Sequence, residues 1–312
     1  MSKSMKKMLL LAKTEVTPGT DPVPTAAANS ILCRGLMPEL INADYVPRDL
    51  IRGYKGNSES LPVGVHRRFQ FEVELAGSGT AGTAPKWGPI LKACGFSETV
   101  QALTDVTYAP VSSGEDTVTL YAYVDGLLFK LTYGKGTVKI ALDAKSIPTL
   151  QFDFLGVYSD ATDTAFPTTQ DFTGFTLPKT VGKVNTPTFS IHGVAGVCSN
   201  LSLDLANNLM YRDLIGAEAP HSPDRKPTGN ATFELTSVAT KNWGSTIRAG
   251  TTGALQVVHG TAAGNIITID APAIQFNSAS IQNQDEIAML NTGFTINPSA
   301  STGNDELTLT LT

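Results

Sequence analysis

The sequence predicts an all-β protein of two tandem β-sandwich or partly open barrel domains, each with one short helix. Three observations predict it. Only 16 % of residues are charged, against about 25 % in typical globular proteins, and Thr, Ser, Gly and Asn fill the polar positions. Apolar and polar residues alternate with period two in many short stretches, as in strands with one covered face. A series of landmarks also occurs twice in the same order, the signature of a repeated structural unit. Tyr45-Val46-Pro47-Arg48-Asp49-Leu50-Ile51 is echoed by Leu209-Met210-Tyr211-Arg212-Asp213-Leu214-Ile215. In each copy a Gly/Ser/Pro-rich loop, an alternating segment and a Trp-Gly pair follow. Arg212 trails Arg48 by 164 residues, Phe233 trails Phe71 by 162 and Trp243 trails Trp87 by 156, so order is kept while loop lengths drift. With 312 residues in all, the expected division is an extended arm at 1–28, a first domain at 29–158, a linker at 159–187 and a second domain at 188–312.

The elements follow in order. Residues 13–28 hold three prolines and no periodicity, so they read as an arm that orders only against a neighbour. Strand character begins at Ser30. In 68–75, Phe69, Phe71, Val73 and Leu75 take one side while Arg68, Gln70, Glu72 and Glu74 take the other. A flexible Gly-rich turn at 77–83 precedes a short helix over 86–94, opened by Pro85 and closed by Gly95. Strands at 117–124 and 127–133 flank Asp125-Gly126, a strong hairpin signal. Lys135-Gly136 is expected to turn into a strand at 137–142, and 150–158 closes the half. The second half offers strands at 189–192, 201–205 and 231–235, a weak helix within 237–248, and strands at 254–259, 266–270 and 273–276. The alternation at 306–312 runs to the last residue, so that strand is expected to pair within a sheet.

Composition excludes several classes. Net charge is −5 with no long basic block, which argues against a protein that grips nucleic acid. Cys33, Cys94 and Cys198 leave one thiol unpaired under any disulfide scheme, and read as buried thiols of a protein made in a reducing cytoplasm. The apolar run Met8–Ala12 is too short for a secretion signal, and no stretch approaches the length of a membrane helix. A soluble, unsecreted chain is expected.

No catalytic, cofactor-binding or metal-binding set emerges. His66, His192, His221 and His259 share no ligand spacing. Gly77-Ser78-Gly79-Thr80-Ala81-Gly82 fits neither a dinucleotide fingerprint nor a P-loop. Asp153 and Asp204 stand alone at outward strand positions. The residues therefore predict no enzyme and no cofactor.

Lys13-Thr14-Glu15-Val16-Thr17-Pro18-Gly19-Thr20-Asp21-Pro22-Val23-Pro24, then Asn29-Ser30-Ile31-Leu32, Ala84-Pro85-Lys86-Trp87-Gly88-Pro89-Ile90-Leu91-Lys92-Ala93-Cys94-Gly95-Phe96 and Ile147-Pro148-Thr149-Leu150-Gln151-Phe152-Asp153-Phe154-Leu155-Gly156 together form a pattern. It resembles the major tail (tail tube) proteins of long, flexible-tailed bacteriophages, most strongly over residues 13–158. The resemblance implies domains of tail-tube type that close six to a ring by edge-to-edge strand pairing. Rings stack into a virion tail tube, and DNA passes down the lumen to the host. A duplicated chain would need three copies per ring. The implied partners are the chain itself, tail terminator, tip and tape-measure proteins, and weakly contacted passing DNA, with no membrane. Candidate lumen-lining residues are Gln70, Glu72, Glu74, Thr232, Glu234 and Thr236, since an acidic or neutral lining does not hold phosphates. Candidate contacts between rings or subunits are Arg48, Asp49, Arg52, Lys55, Arg67, Arg68, Arg212 and Asp213, in or beside loops 52–68 and 216–230. The alternatives are a tandem β-sandwich virion decoration or receptor- or carbohydrate-binding protein, and a β-rich hydrolase with a site split between the halves.

Overall fold

The computed structural model describes residues 2–312. The first half runs β1 (Met8–Thr14), α1 (Ala26–Asn29), β2 (Ser30–Ile31), β3 (Arg34–Pro38), β4 (Asn42–Pro47), β5 (Ser60–Glu74), α2 (Gly88–Lys92), β6 (Phe96–Gln101), β7 (Asp105–Pro110), β8 (Val118–Val124), β9 (Leu127–Asp143) and β10 (Thr149–Tyr158). After β11 (Thr162–Asp163), the second half runs β12 (Thr188–Ile191), β13 (Val194–Ala195), β14 (Cys198–Asp204), β15 (Met210–Leu214), β16 (Ala217–His221), β17 (Thr228–Glu234), α3 (Trp243–Ala249), β18 (Gly253–His259), β19 (Ile267–Gln284), β20 (Ile287–Asn297) and β21 (Thr308–Leu311). The described residues are all-β with three short helices, and their sheets stay open rather than closing into a barrel.

One antiparallel layer crosses both halves in the order β3–β5–β10–β9–β14–β17–β20–β19. Its first four strands and last four repeat one plan: β3 matches β14, β5 matches β17, and the hairpins β9–β10 and β19–β20 correspond. Its core face carries Phe69, Phe71, Val73, Phe152 and Phe154, then Leu201, Leu203, Phe233 and Phe294, all buried. A second layer covers this face with two smaller sheets. One is β2–β1–β8 and the first half of β9; the other is β6–β7–β21, the first half of β19, then β18–β12–β13. The halves are sewn together in both layers. β9 pairs with β14 in one and β7 with β21 in the other, and a single apolar cluster extends from Leu10 to Leu311. The terminal strand thus pairs on both of its edges.

Local chemistry explains the departures from expectation. Lys135-Gly136 makes no turn, and β9 continues through it. Glycine is needed there because a Cβ at 136 would lie 2.7 Å from the Phe154 ring. The bend lies just before, where the register slips and Tyr133 takes φ 54°. Asp125-Gly126 does turn, with both φ positive as a type I′ hairpin requires. The strands expected at 266–270 and 273–276 are one strand, β19, which passes from the second layer into the first at Pro272-Ala273 and runs on through polar residues to Gln284. α3 starts later than expected, at Trp243, because Asn242 caps it by accepting the Ser245 amide at 3.0 Å.

Met8–Thr14, expected ahead of the folded region, is a buried strand between β2 and β8. The proline-rich stretch after it does need a neighbour, and finds one in its own first half. Glu15, 6 % exposed, accepts from Thr117 Oγ1 at 2.7 Å, Thr119 Oγ1 at 2.6 Å, and the Gly19 and Tyr133 amides at 2.7 Å each. A buried carboxylate this fully bonded ties the segment to the β9 bend. Residues 159–187 form a strap. β11 pairs with β9, and Phe166 and Phe172 pack on Leu9, Leu11, Tyr121, Tyr123 and Leu128 outside the second layer.

Candidate functional site

Strand periodicity puts every second residue of the long layer on the face away from the core, and that face is polar across both halves. In the first half Arg68, Gln70, Glu72 and Glu74 of β5 stand beside Gln151 and Asp153 of β10 and Lys139 and Asp143 of β9. In the second half Asn200, Ser202 and Asp204 of β14 stand beside Asn230, Thr232 and Glu234 of β17, then Asn291 and Thr295 of β20. Ser278, Ser280 and Gln282 of β19 end the series. Arg34 bonds Glu72 at 3.0 Å, and Arg68 forms a two-point ion pair with Asp153. That hydrogen bonding raises the Arg68 pKa against the opposing effect of burial. Glu74 and Glu234 carry no ion pair among the described residues. The face is therefore acidic to neutral, with its guanidinium groups already bound. Five of the six residues expected to form the lining share it. Thr236 does not, because the chain turns after β17 and Thr236 Oγ1 accepts the Trp243 indole N–H at 2.8 Å.

Among the described residues, both ends of this layer are unpaired. At one end β3 bonds only to β5; at the other, residues 277–284 of β19 bond only to β20. Ile281, on the core side of that edge, is 68 % exposed. Long bare edges are rare in isolated soluble proteins because they template pairing with another chain. The sequence signal for this edge was weak, since Asn277 to Gln284 holds little but Ser, Asn, Gln and Ala.

The doubled Arg-Asp-Leu-Ile lies at the tips of two hairpins, one per half. In the first, β4 pairs with the start of β5 and residues 48–59 form the tip. In the second, β15 pairs with β16 across Ile215-Gly216. Ile51 and Ile215 are fully exposed, and Leu50 and Leu214 are half exposed. Arg48 and Arg52 reach Glu59 at 3.7 and 3.1 Å, while Asp49 and Lys55 are exposed at the same tip. The second hairpin leans across the seam onto the first half. Asp213 accepts the Gly64 amide at 3.1 Å and Tyr211 stacks on His66 at 5.1 Å, while Arg212 stays exposed. The charged residues of the repeat drew attention in the sequence, and the hairpins present its apolar pair to solvent beside them.

Arg67, expected among the contact residues, is instead fully buried. It shares the core-side parity of Phe69, and its guanidinium donates to the carbonyls of Glu39, Leu40 and Ser159 while lying 4.5 Å from the Tyr158 ring centre. Burial pulls its pKa below the ordinary guanidinium value. Its role is to fix the chain between β3 and β4.

Among the described residues no three His, Cys, Asp or Glu side chains gather as a metal site, and no helix is long and apolar enough to cross a membrane. His192 stacks on Phe276 and His259 bonds Thr186. The three cysteines are free.

An all-β architecture with a broad polar face and bare strand edges suits a protein that assembles by strand pairing. A family model described as phage tail tube protein matches residues 6–312, and the chain belongs to that family. Its place is accordingly the virion tail of a bacteriophage. No curated protein matches the chain.

Proposed function

We propose that three copies of this chain close into a ring of pseudo-sixfold symmetry, that rings stack into the tail tube, and that DNA passes through the lumen along the polar face. The observation that carries this is the β9–β14 seam. Inside one chain, the far edge of the first four-stranded unit already pairs with the near edge of the second. The equivalent edges left over are residues 277–284 of β19 and β3. Pairing β19 of one chain with β3 of the next repeats the seam between molecules, and three such steps use every edge of this layer. Closure removes the hazard of bare strands and places the polar face inside. Bound guanidiniums, and unpaired carboxylates that outnumber the unpaired Lys139 on this face, suit a conduit, because free cations that neutralise phosphates slow DNA movement. The hairpin tips, with their exposed Leu-Ile pairs, supply contacts between rings, and tail terminator, tip and tape-measure proteins are the further partners. No catalysis is assigned.

Electron microscopy of concentrated protein, negatively stained, tests this directly. Rings or tubes with an open channel and threefold averages are expected. Particles that stay monomeric at every concentration, even with tail-tip components added, would sink the proposal.

A further inference from the structure

We infer that each chain holds a binding site for one free medium-chain fatty acid, in an apolar cavity at the seam between its halves. The cavity, of about 350 Å³, is lined by Leu142, Val181, Phe189, Val197, Leu201 and Val257. Leu142 and Leu201 are buried partners across the seam, so the cavity is an open end of the apolar core. The strap supplies its remaining wall. The Lys145 amide donates to the Val181 carbonyl at 3.0 Å, and the Val181 amide donates to the Ser146 carbonyl at 2.8 Å. Those bonds fix the strap beside the end of β9. Walls held in this way form a pocket before any ligand arrives.

The chemistry of the lining selects the ligand. Two uncharged polar side chains reach the wall, and both are already bonded. Thr186 Oγ1 pairs with His259 Nδ1 at 2.9 Å, and Cys198 Sγ donates to the Asn200 carbonyl at 3.1 Å. Lys183 is the one charged residue of the lining, exposed and without an ion pair among the described residues. A sugar or nucleotide would bury polar groups against side chains that cannot bond them. A peptide segment would do the same with its backbone amides and carbonyls. A purely apolar guest would leave Lys183 unused. An aliphatic chain ending in a carboxylate meets both demands, because the chain fills a dry apolar space and its head group pairs with Lys183 at the exposed mouth. At ~30 Å³ per methylene-sized group, the space takes a chain of roughly eight to twelve carbons. Such a ligand caps the seam and stabilises both halves together. The site is complete within one chain.

Calorimetric titration of the unassembled chain with decanoate, kept below its micelle concentration, tests the site. One decanoate per chain should bind, with octanoate about fifteenfold weaker at roughly fourfold per methylene. Decylamine should bind about tenfold more weakly than decanoate, because its ammonium meets Lys183. No saturable heat, or equal affinity for the two head groups, overturns the inference. Lys183→Gln should weaken decanoate about tenfold and leave decanol unchanged; equal losses for both would overturn the pairing with Lys183. Ala144→Phe, at an exposed position on the rim, should fill the mouth and block uptake. Undiminished decanoate binding by that variant would put the ligand elsewhere and overturn the site. Alkylation read by mass spectrometry reports location directly. Burial pushes the Cys198 thiol up to about 12, so it reacts slowly. Saturating decanoate should slow it by a further factor of about three and leave Cys33 unchanged. Equal slowing of both thiols would mean a general tightening and counts against the site. None of these readouts depends on ring formation, so the ring proposal can fail while this inference stands.

Discussion

Leu142 of β9 stands directly opposite Leu201 of β14, so the two halves of the chain are hydrogen-bonded neighbours in one sheet. Both side chains are buried on the core side, and Ile140 faces Leu203 one step along. The boundary between repeats is therefore continuous core.

Cooperativity follows from that seam. Urea unfolding followed by tryptophan fluorescence, with Trp87 in one half and Trp243 in the other, should show a single transition. Leu201→Ala removes a fully buried side chain and should lower unfolding free energy by about 2–5 kcal/mol, shifting both halves together. Two separated transitions would show that the seam does not couple them.

The β19 edge gives a second expectation. Ile281→Lys changes a residue 68 % exposed in the single chain, so the variant's unfolding free energy should stay within about 0.5 kcal/mol of the parent's. Pairing with another chain would bury that lysine, so light scattering should report monomers where the parent forms rings. Rings of normal yield would remove β19 from the contact.

The polar face gives a third. Gln151→Lys with Thr232→Lys places one new cation in each half without breaking an existing ion pair. Tubes should still assemble, and phage carrying them should eject DNA more slowly, with the difference shrinking as salt rises. Unchanged ejection at low salt would mean that this face does not meet DNA.

Acidity gives a fourth. Burial lowers the pKa of His192, with Lys241 adding to the effect, and burial likewise lowers that of His259. Both Nε2 atoms are buried without a partner. The unfolded chain therefore binds protons that the folded chain refuses. Stability from this source is complete above about pH 6.5, the ordinary imidazole value, and is lost as pH falls below it. Midpoints measured from pH 7.5 to 5.5 should decline, and His192→Gln with His259→Gln should flatten that slope. An equal slope in both proteins would refute the assignment to these histidines.

Much of this was legible because it is local. Alternation in 68–75 placed Gln70, Glu72 and Glu74 on one face, since side-chain direction in a strand is fixed by parity alone. Asp125-Gly126 fixed a hairpin through its own backbone preference. Arg67 defeated the same logic in an instructive way. Its charge suggested a surface, but its parity with Phe69 was the better guide, because carbonyls at the β3–β4 bend could satisfy a buried guanidinium. Glu15 carried no sequence signal at all; its four donors come from three separate stretches of chain.

The sequence by itself determined the all-β class, the doubled plan and the polar parity of the long strands, because these depend on residue spacing and on repetition along the chain. Tertiary structure decided that β9 meets β14, that β21 joins the halves, and that β3 and β19 are left bare. Those outcomes depend on which edges come together once both halves share a core, a matter of long-range packing that periodicity does not encode.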